Sequence, residues 1–248
     1  MADLKPIFFT LSGKKRPSVY IETGTYNGEN LVKRIHQYNL LYSIEISADM
    51  QAKNIKKFES HSSKVKLIVG DSAKELAKVL NGIEESCTIF LDAHFSGNVL
   101  TGENRALPLI QEIQAIAEFN FDSITIIDDV RLLGKKQLEG LPGDPLYPIF
   151  LADWTEVTFE DIASNCGKGM SIFRNRFGSI TTGRSDQLII TKVDFKNRIL
   201  LSLYIYVFYP AIIFPQLKIM KSLIAIFRRI PIIHKVLKHL KTTIKLNF

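Results

Sequence analysis

At 248 residues the chain has room for one substantial α/β domain and an appendage, but hardly for two full domains. Its formal charge of +7 belongs to one end: after Asp194 come ten cations (Lys196, Arg198, Lys218, Lys221, Arg228, Arg229, Lys235, Lys238, Lys241 and Lys245) and no acid, so residues 1–195 keep 22 of the 32 basic groups against all 25 acids. A nucleic-acid-binding body is therefore disfavoured, since phosphate affinity needs a basic face, and the two cysteines allow neither a disulfide framework nor a CxxC metal motif.

Met1 to Pro6 lacks the apolar core of a secretory signal, which with the sparse cysteines predicts a cytoplasmic body. Cys87 opens an apolar run and reads as a small buried residue. From residue 18 to 130, short apolar runs alternate with helix-length amphipathic segments. The runs Ser18–Glu22, Leu41–Ile46, Val65–Val69, Thr88–Asp92 and Ser123–Asp128 predict strands; Glu29–Tyr38, Ala48–Glu59, Ala73–Leu80 and Ala106–Phe119 predict helices. This rhythm predicts a doubly wound, mostly parallel sheet with ligands along the carboxyl edge of its strands. Residues 134–148, rich in Gly and Pro, predict a loop. Trp154–Phe159 and Gln187–Lys192 predict an antiparallel pair closing a seven-stranded sheet, with turns at Asn165–Met170 and Gly178–Gly183.

The character changes near residue 198. Ile199–Phe214 is almost wholly apolar, and helical stripe spacing follows on both sides of Pro231, with Lys, Arg and His opposite. We therefore divide the chain into an α/β domain, 1–197, and a basic, apolar helical tail, 198–248. The apolar stretch is short for a span and interrupted by Pro210, so the tail is expected to attach peripherally to an anionic membrane surface at its inner face.

The first strand runs into Glu22-Thr-Gly24-Thr-Tyr-Asn-Gly28. Gly24 permits a sharp turn beneath a cofactor, Gly28 a close approach of the helix start, and Glu22 can touch the cofactor or order the turn. Glu45 ends the second strand, where a carboxylate suits two ribose hydroxyls. Gly70-Asp71-Ser72 follows the third, where Asp71 can address an adenine amino group. A second acidic set, Asp92, Asp128 and Asp129, follows the fourth and fifth strands. Converging carboxylates repel unless a cation neutralises them, and hard oxygen donors suit Mg²⁺.

Residues 18–130 resemble the core of class I S-adenosylmethionine-dependent methyltransferases. Glu22 to Gly28 are similar to their first motif, Glu45 to their ribose-binding acid and Gly70-Asp71-Ser72 to their adenine-side motif. The glycine turn lacks the G-x-G-x-x-G of dinucleotide dehydrogenases. The second acidic set is similar to that of metal-dependent O-methyltransferases of the catechol type, which implies a Mg²⁺ ion held by Asp92, Asp128 and Asp129. Those enzymes place a lysine base after the first Asp; here His94 stands nearby and can serve as general base beside Asp92. Arg131 can hold a substrate anion or pair with Asp129, and Glu103, Asn104 and Arg105 either line an acceptor pocket or lie on a surface loop. The expected activity is O-methylation of a sugar or lipid-linked glycan. The alternatives are a non-catalytic methyltransferase-like module regulating a membrane glycosyltransferase, and a sugar-nucleotide-modifying enzyme. No oligomeric state follows from the sequence.

Overall fold

A computed structural model describes residues 4, 6–93, 107–140, 142–143, 149–175 and 186–205. Helix α1 (Pro6–Ser12) leads to β1 (Val19–Thr23), α2 (Glu29–Arg34), β2 (Leu40–Glu45), α3 (Ala48–Lys57) and β3 (Val65–Val69). Then come α4 (Ser72–Asn81), β4 (Cys87–Leu91), α5 (Leu109–Ala117), β5 (Ser123–Ile127), β6 (Lys136–Glu139) and β7 (Phe150–Asp153). The last elements are α6 (Phe159–Asn165), β8 (Met170–Arg174), β9 (Leu188–Lys192) and α7 (Phe195–Leu203).

Seven strands form one sheet in the order β3-β2-β1-β4-β5-β9-β8, with β6 and β7 a separate antiparallel ribbon. Strands β1 to β5 pair in parallel and β9 runs antiparallel to β5. This is the expected doubly wound architecture. Strands β1, β4 and β5 are buried along their whole length, which is why they read as continuous apolar runs rather than alternating ones. On one face Val19, Ile21, Ile44, Ile89 and Ile127 pack against Leu76 and Leu80 of α4, Ile113 of α5 and Ile162 of α6. Each such side chain withdrawn from water stabilises the fold by roughly 2 kcal/mol. On the other face α2 lays the buried Arg34 guanidinium over Tyr20 and Phe90, its carbon 4.9 Å and 5.6 Å from the ring centres.

The expected strand at Trp154–Phe159 is not formed. Asp153 Oδ1 accepts from the Thr155 hydroxyl at 2.6 Å, the Gly134 N–H reaches both the Trp154 and Val157 carbonyls, and Thr158 starts α6 with a capping box to Asp161. The apolar residues there, Trp154 and Val157, enter the core from a turn. In the same way the expected loop at 134–148 contains β6. The neighbour of β9 beyond β5 is instead β8, which begins at Met170, the last residue of an expected turn. Gly178–Gly183 lies outside the described residues.

The chain divides into two compact units. One, residues 17–172 and 186–192, holds the parallel strands. The other includes α1 and α7, joined where Asn197 Nδ2 donates to the Ser12 carbonyl at 3.1 Å; Asp194 caps α7 by accepting the Asn197 N–H at 2.7 Å. Of the expected tail, only residues 198–205 are described. No described helix is long and apolar enough to cross a membrane.

Candidate cofactor site

Parallel pairing brings the carboxyl ends of β3, β2, β1, β4 and β5 to one edge, and the acids of the sequence motifs fall there. After Thr23 the chain turns at Gly24, with φ at 80° and its N–H donating to the Ile44 carbonyl at 2.9 Å. A Cβ on Gly24 would lie 2.4 Å from the Asp92 carbonyl oxygen, so only glycine lets the β1 tip press against the β4 tip. The turn closes with the Gly28 N–H on the Thr25 carbonyl at 2.8 Å.

Glu45, at the tip of β2, faces this turn. Its Oε2 accepts the Tyr26 N–H at 2.8 Å and its Oε1 the Ser47 N–H at 3.0 Å. Both oxygens are thereby oriented, and each retains a lone pair for a ligand hydroxyl. The residue is 9% exposed.

Glu22 lies inside the sheet, linked to the glycine turn. It is fully buried: the Ser43 hydroxyl donates to Oε1 at 2.7 Å and the Tyr20 hydroxyl to Oε2 at 3.2 Å. Thr25 Oγ1 lies 2.6 Å from Ser43 Oγ, so a chain of hydroxyls links Glu22 to the glycine turn. Burial pushes the Glu22 carboxyl up to about 7, against the opposing pull of Ser43, Arg34 and Tyr20. Burial likewise drives the Tyr20 phenol upward.

Asp71 caps α4, its Oδ1 accepting the Ala73 N–H at 3.0 Å, and Ser72 opens that helix, buried. The Gly70 N–H bonds the Glu45 carbonyl at 2.9 Å, so Asp71 stands beyond the next strand tip. At Gly28 a Cβ would meet Asn54 Oδ1 and Phe58 Cε2, each at 2.8 Å.

The expected metal triad does not assemble. Among the described residues no three His, Cys, Asp or Glu side chains are grouped to hold a metal ion. The reason is visible at Asp129, whose backbone is left-handed (φ 53°) and whose carboxylate pairs with Arg131. The Arg131 guanidinium also binds Asp186 and, at 2.6 Å, Glu139. Those partners hold Arg131 charged well above its ordinary range, against the opposing effect of burial, and draw the Glu139 carboxyl below its own. The second expected role of Arg131, pairing with Asp129, is the one observed. Asp128 accepts the Asp129 N–H on Oδ1 at 3.0 Å. It sits beside Asp92, because the Asp128 N–H bonds the Leu91 carbonyl at 3.1 Å and the Asp92 N–H the Thr23 carbonyl at 3.2 Å. His94, Glu103, Asn104 and Arg105 lie outside the described residues.

The motif reading misses the residues behind the site: Tyr20, Ser43, Thr25 and Arg34 inside the sheet face, and Gln51 and Asn54 on α3. A signal existed in α3, whose inward positions 51 and 54 are amides three residues apart where an ordinary covering helix carries aliphatic side chains.

The acid-bearing tips belong to a seven-stranded sheet whose parallel strands β1 to β5 are continued by the antiparallel β9. No protein-family model and no curated protein matches the chain. Among solved structures it is similar to an S-adenosylmethionine-dependent methyltransferase from Clostridium acetobutylicum, at 12% identity over 71% of this chain and 84% of that one, with a TM-score of 0.41. It is similar also to an rRNA methylase from Streptococcus thermophilus (9% identity, 76% and 95% covered, TM-score 0.41). A third is spermidine synthase from Thermotoga maritima (14% identity, 78% of this chain, TM-score 0.43), of whose length the match spans 59%. At such identities and scores none of these likenesses bears on what this chain does.

Proposed function

We propose that the chain is an S-adenosylmethionine-dependent methyltransferase acting on a hydroxyl of a sugar or lipid-linked glycan at the cytoplasmic face of a membrane. The observation that carries this reading is the grip of Glu45 on the glycine turn: a buried, doubly oriented carboxylate at a strand tip, with acceptor capacity left, beside a backbone that only glycine permits. In this reading Glu45 holds the ribose hydroxyls, Asp71 stands on the adenine side, and the Glu22 chain of hydroxyls keeps the turn in place. The cofactor, when bound, supplies a methyl group on a sulfonium. Asp92 and Asp128, on adjoining tips, hold acceptor hydroxyls, and His94, two residues past Asp92, takes the proton. The protein then acts chiefly by alignment and exclusion of water.

Calorimetry with S-adenosylmethionine tests the core of the reading: no heat of binding up to millimolar cofactor refutes it. Given binding, Asp128→Ala should abolish transfer and leave cofactor affinity nearly intact; equal loss of both would put that acid in the cofactor site. The membrane context draws on the run of cations after Asp194. Truncation after Lys196 should release the protein from anionic vesicles, and continued sedimentation would remove the anchor.

A further inference from the structure

We propose that Asn54 is a positioning residue of the cofactor site, fixing the glycine turn so that Glu45 stays oriented toward a nucleoside ribose; this rests on the cofactor reading above. Asn54 belongs to α3, not to any strand tip, and is 2% exposed. Its Nδ2 donates to the Tyr26 carbonyl at 2.7 Å. One helical turn on, Lys57 Nζ donates to the Asn27 carbonyl at 2.7 Å, and Gly28 closes against Asn54 and Phe58. Three successive residues of the turn are thus held by the end of one helix.

Tyr26 shows why such holding is needed. Its φ is 47°, a left-handed conformation that costs a residue other than glycine about 1–2 kcal/mol. An unsupported turn would relax out of it. Glu45 grips the peptide group before the Tyr26 Cα, through the N–H, and Asn54 grips the one after it, through the carbonyl. Together they set both backbone angles of Tyr26. Gln51, three residues back, ties the same helix to the sheet by donating to the Ser43 and Ile68 carbonyls at 3.1 Å and 2.9 Å. When the Asn54 bond is lost, the Tyr26 N–H leaves Glu45 and one of the two restraints on that carboxylate goes with it.

The test uses the full chain and S-adenosylhomocysteine, the demethylated product. Asn54→Asp keeps the side-chain size but sets an acceptor against the Tyr26 carbonyl. The expected result is about tenfold weaker binding, the scale of one lost hydrogen bond, with the turnover rate at saturating cofactor unchanged. In a Glu45→Gln background the same substitution should cost little more, because Asn54 acts through Glu45. Unchanged affinity, or equal losses in both backgrounds, overturns the assignment. If the unaltered chain binds no cofactor, the methyltransferase reading falls by itself. The role of Asn54 is then read from hydrogen exchange at the Tyr26 amide, slow in the parent and about tenfold faster in the variant; equal protection overturns it. Should Asn54→Asp fail to fold, Asn54→Ser carries the same readings.

Discussion

The buried Glu22 makes the stability of the sheet domain depend on pH with a definite sign. Its carboxyl ordinarily titrates at 4.5 and in the folded chain at about 7, because burial disfavours the charged form more than Ser43, Arg34 and Tyr20 favour it. Between those two values the folded chain keeps a proton that the unfolded chain has released. Stability therefore falls as pH rises through this window and levels off above it. The full difference corresponds to about 3 kcal/mol, a large share of the 5–15 kcal/mol typical of a domain. Glu22→Gln supplies the comparison: the amide copies the neutral acid in shape, can donate as well as accept, and does not titrate. Urea unfolding of parent and variant should give similar stabilities at pH 4.5. By pH 8 the variant should be the more stable by roughly 2–3 kcal/mol, with the slope against urea unchanged. Every other titrating group cancels in the difference between the two proteins. Parallel curves from pH 4.5 to 8 would show that Glu22 ionises in the folded chain at no cost, and the account of the buried hydroxyl chain would be wrong.

Three further outcomes are expected. Gly24→Ala sets a methyl 2.4 Å from the Asp92 carbonyl at a φ of 80°; it should cost at least about 2 kcal/mol in thermal unfolding and abolish cofactor uptake, and a variant as stable as the parent would contradict the packing of the strand tips. Arg131→Gln leaves Asp129, Glu139 and Asp186 facing one another, so stability should drop and recover in part as pH is lowered toward 4, whereas a loss independent of pH would mean the ion pairs contribute nothing. Cys87 and Cys166 are both buried, and burial pushes the Cys87 thiol up to about 12; neither should react with a thiol reagent at neutral pH until urea unfolds the chain, as timed absorbance readings would show.

What the sequence made legible followed from periodicity and from glycine. Strands β1, β4 and β5 announce themselves because both faces are covered, and Gly24 announces a turn because no other residue has its conformational freedom. Boundaries drifted where apolar residues had a use other than strand formation. Trp154 and Val157 resemble a strand to any rule that counts hydrophobicity, yet the side chains of Asp153 and Thr158 start a turn and a helix around them. Beyond β5 one strand of the expected pair is formed: Gln187–Lys192 forms β9, antiparallel to β5, whereas its neighbour is β8 and not the stretch from Trp154 to Phe159.

The site divides along the same physical line. A carboxylate at a strand tip is predictable from spacing, since the sheet fixes where the tip lies. What the carboxylate does depends on which donors reach it, and those come from other elements. Asp128 and Asp129 are adjacent in sequence, yet the left-handed backbone at Asp129 sends one acid to Arg131 and leaves the other beside Asp92. A guanidinium can thus neutralise an acidic strand edge as a cation would, and spacing alone does not distinguish the two. Glu22 and Glu45 make the parallel case: both end up buried at strand tips, but one meets hydroxyls inside the sheet face and the other meets backbone N–H groups at its rim. The first is enclosed by its hydroxyl donors, whereas the second keeps lone pairs at the rim.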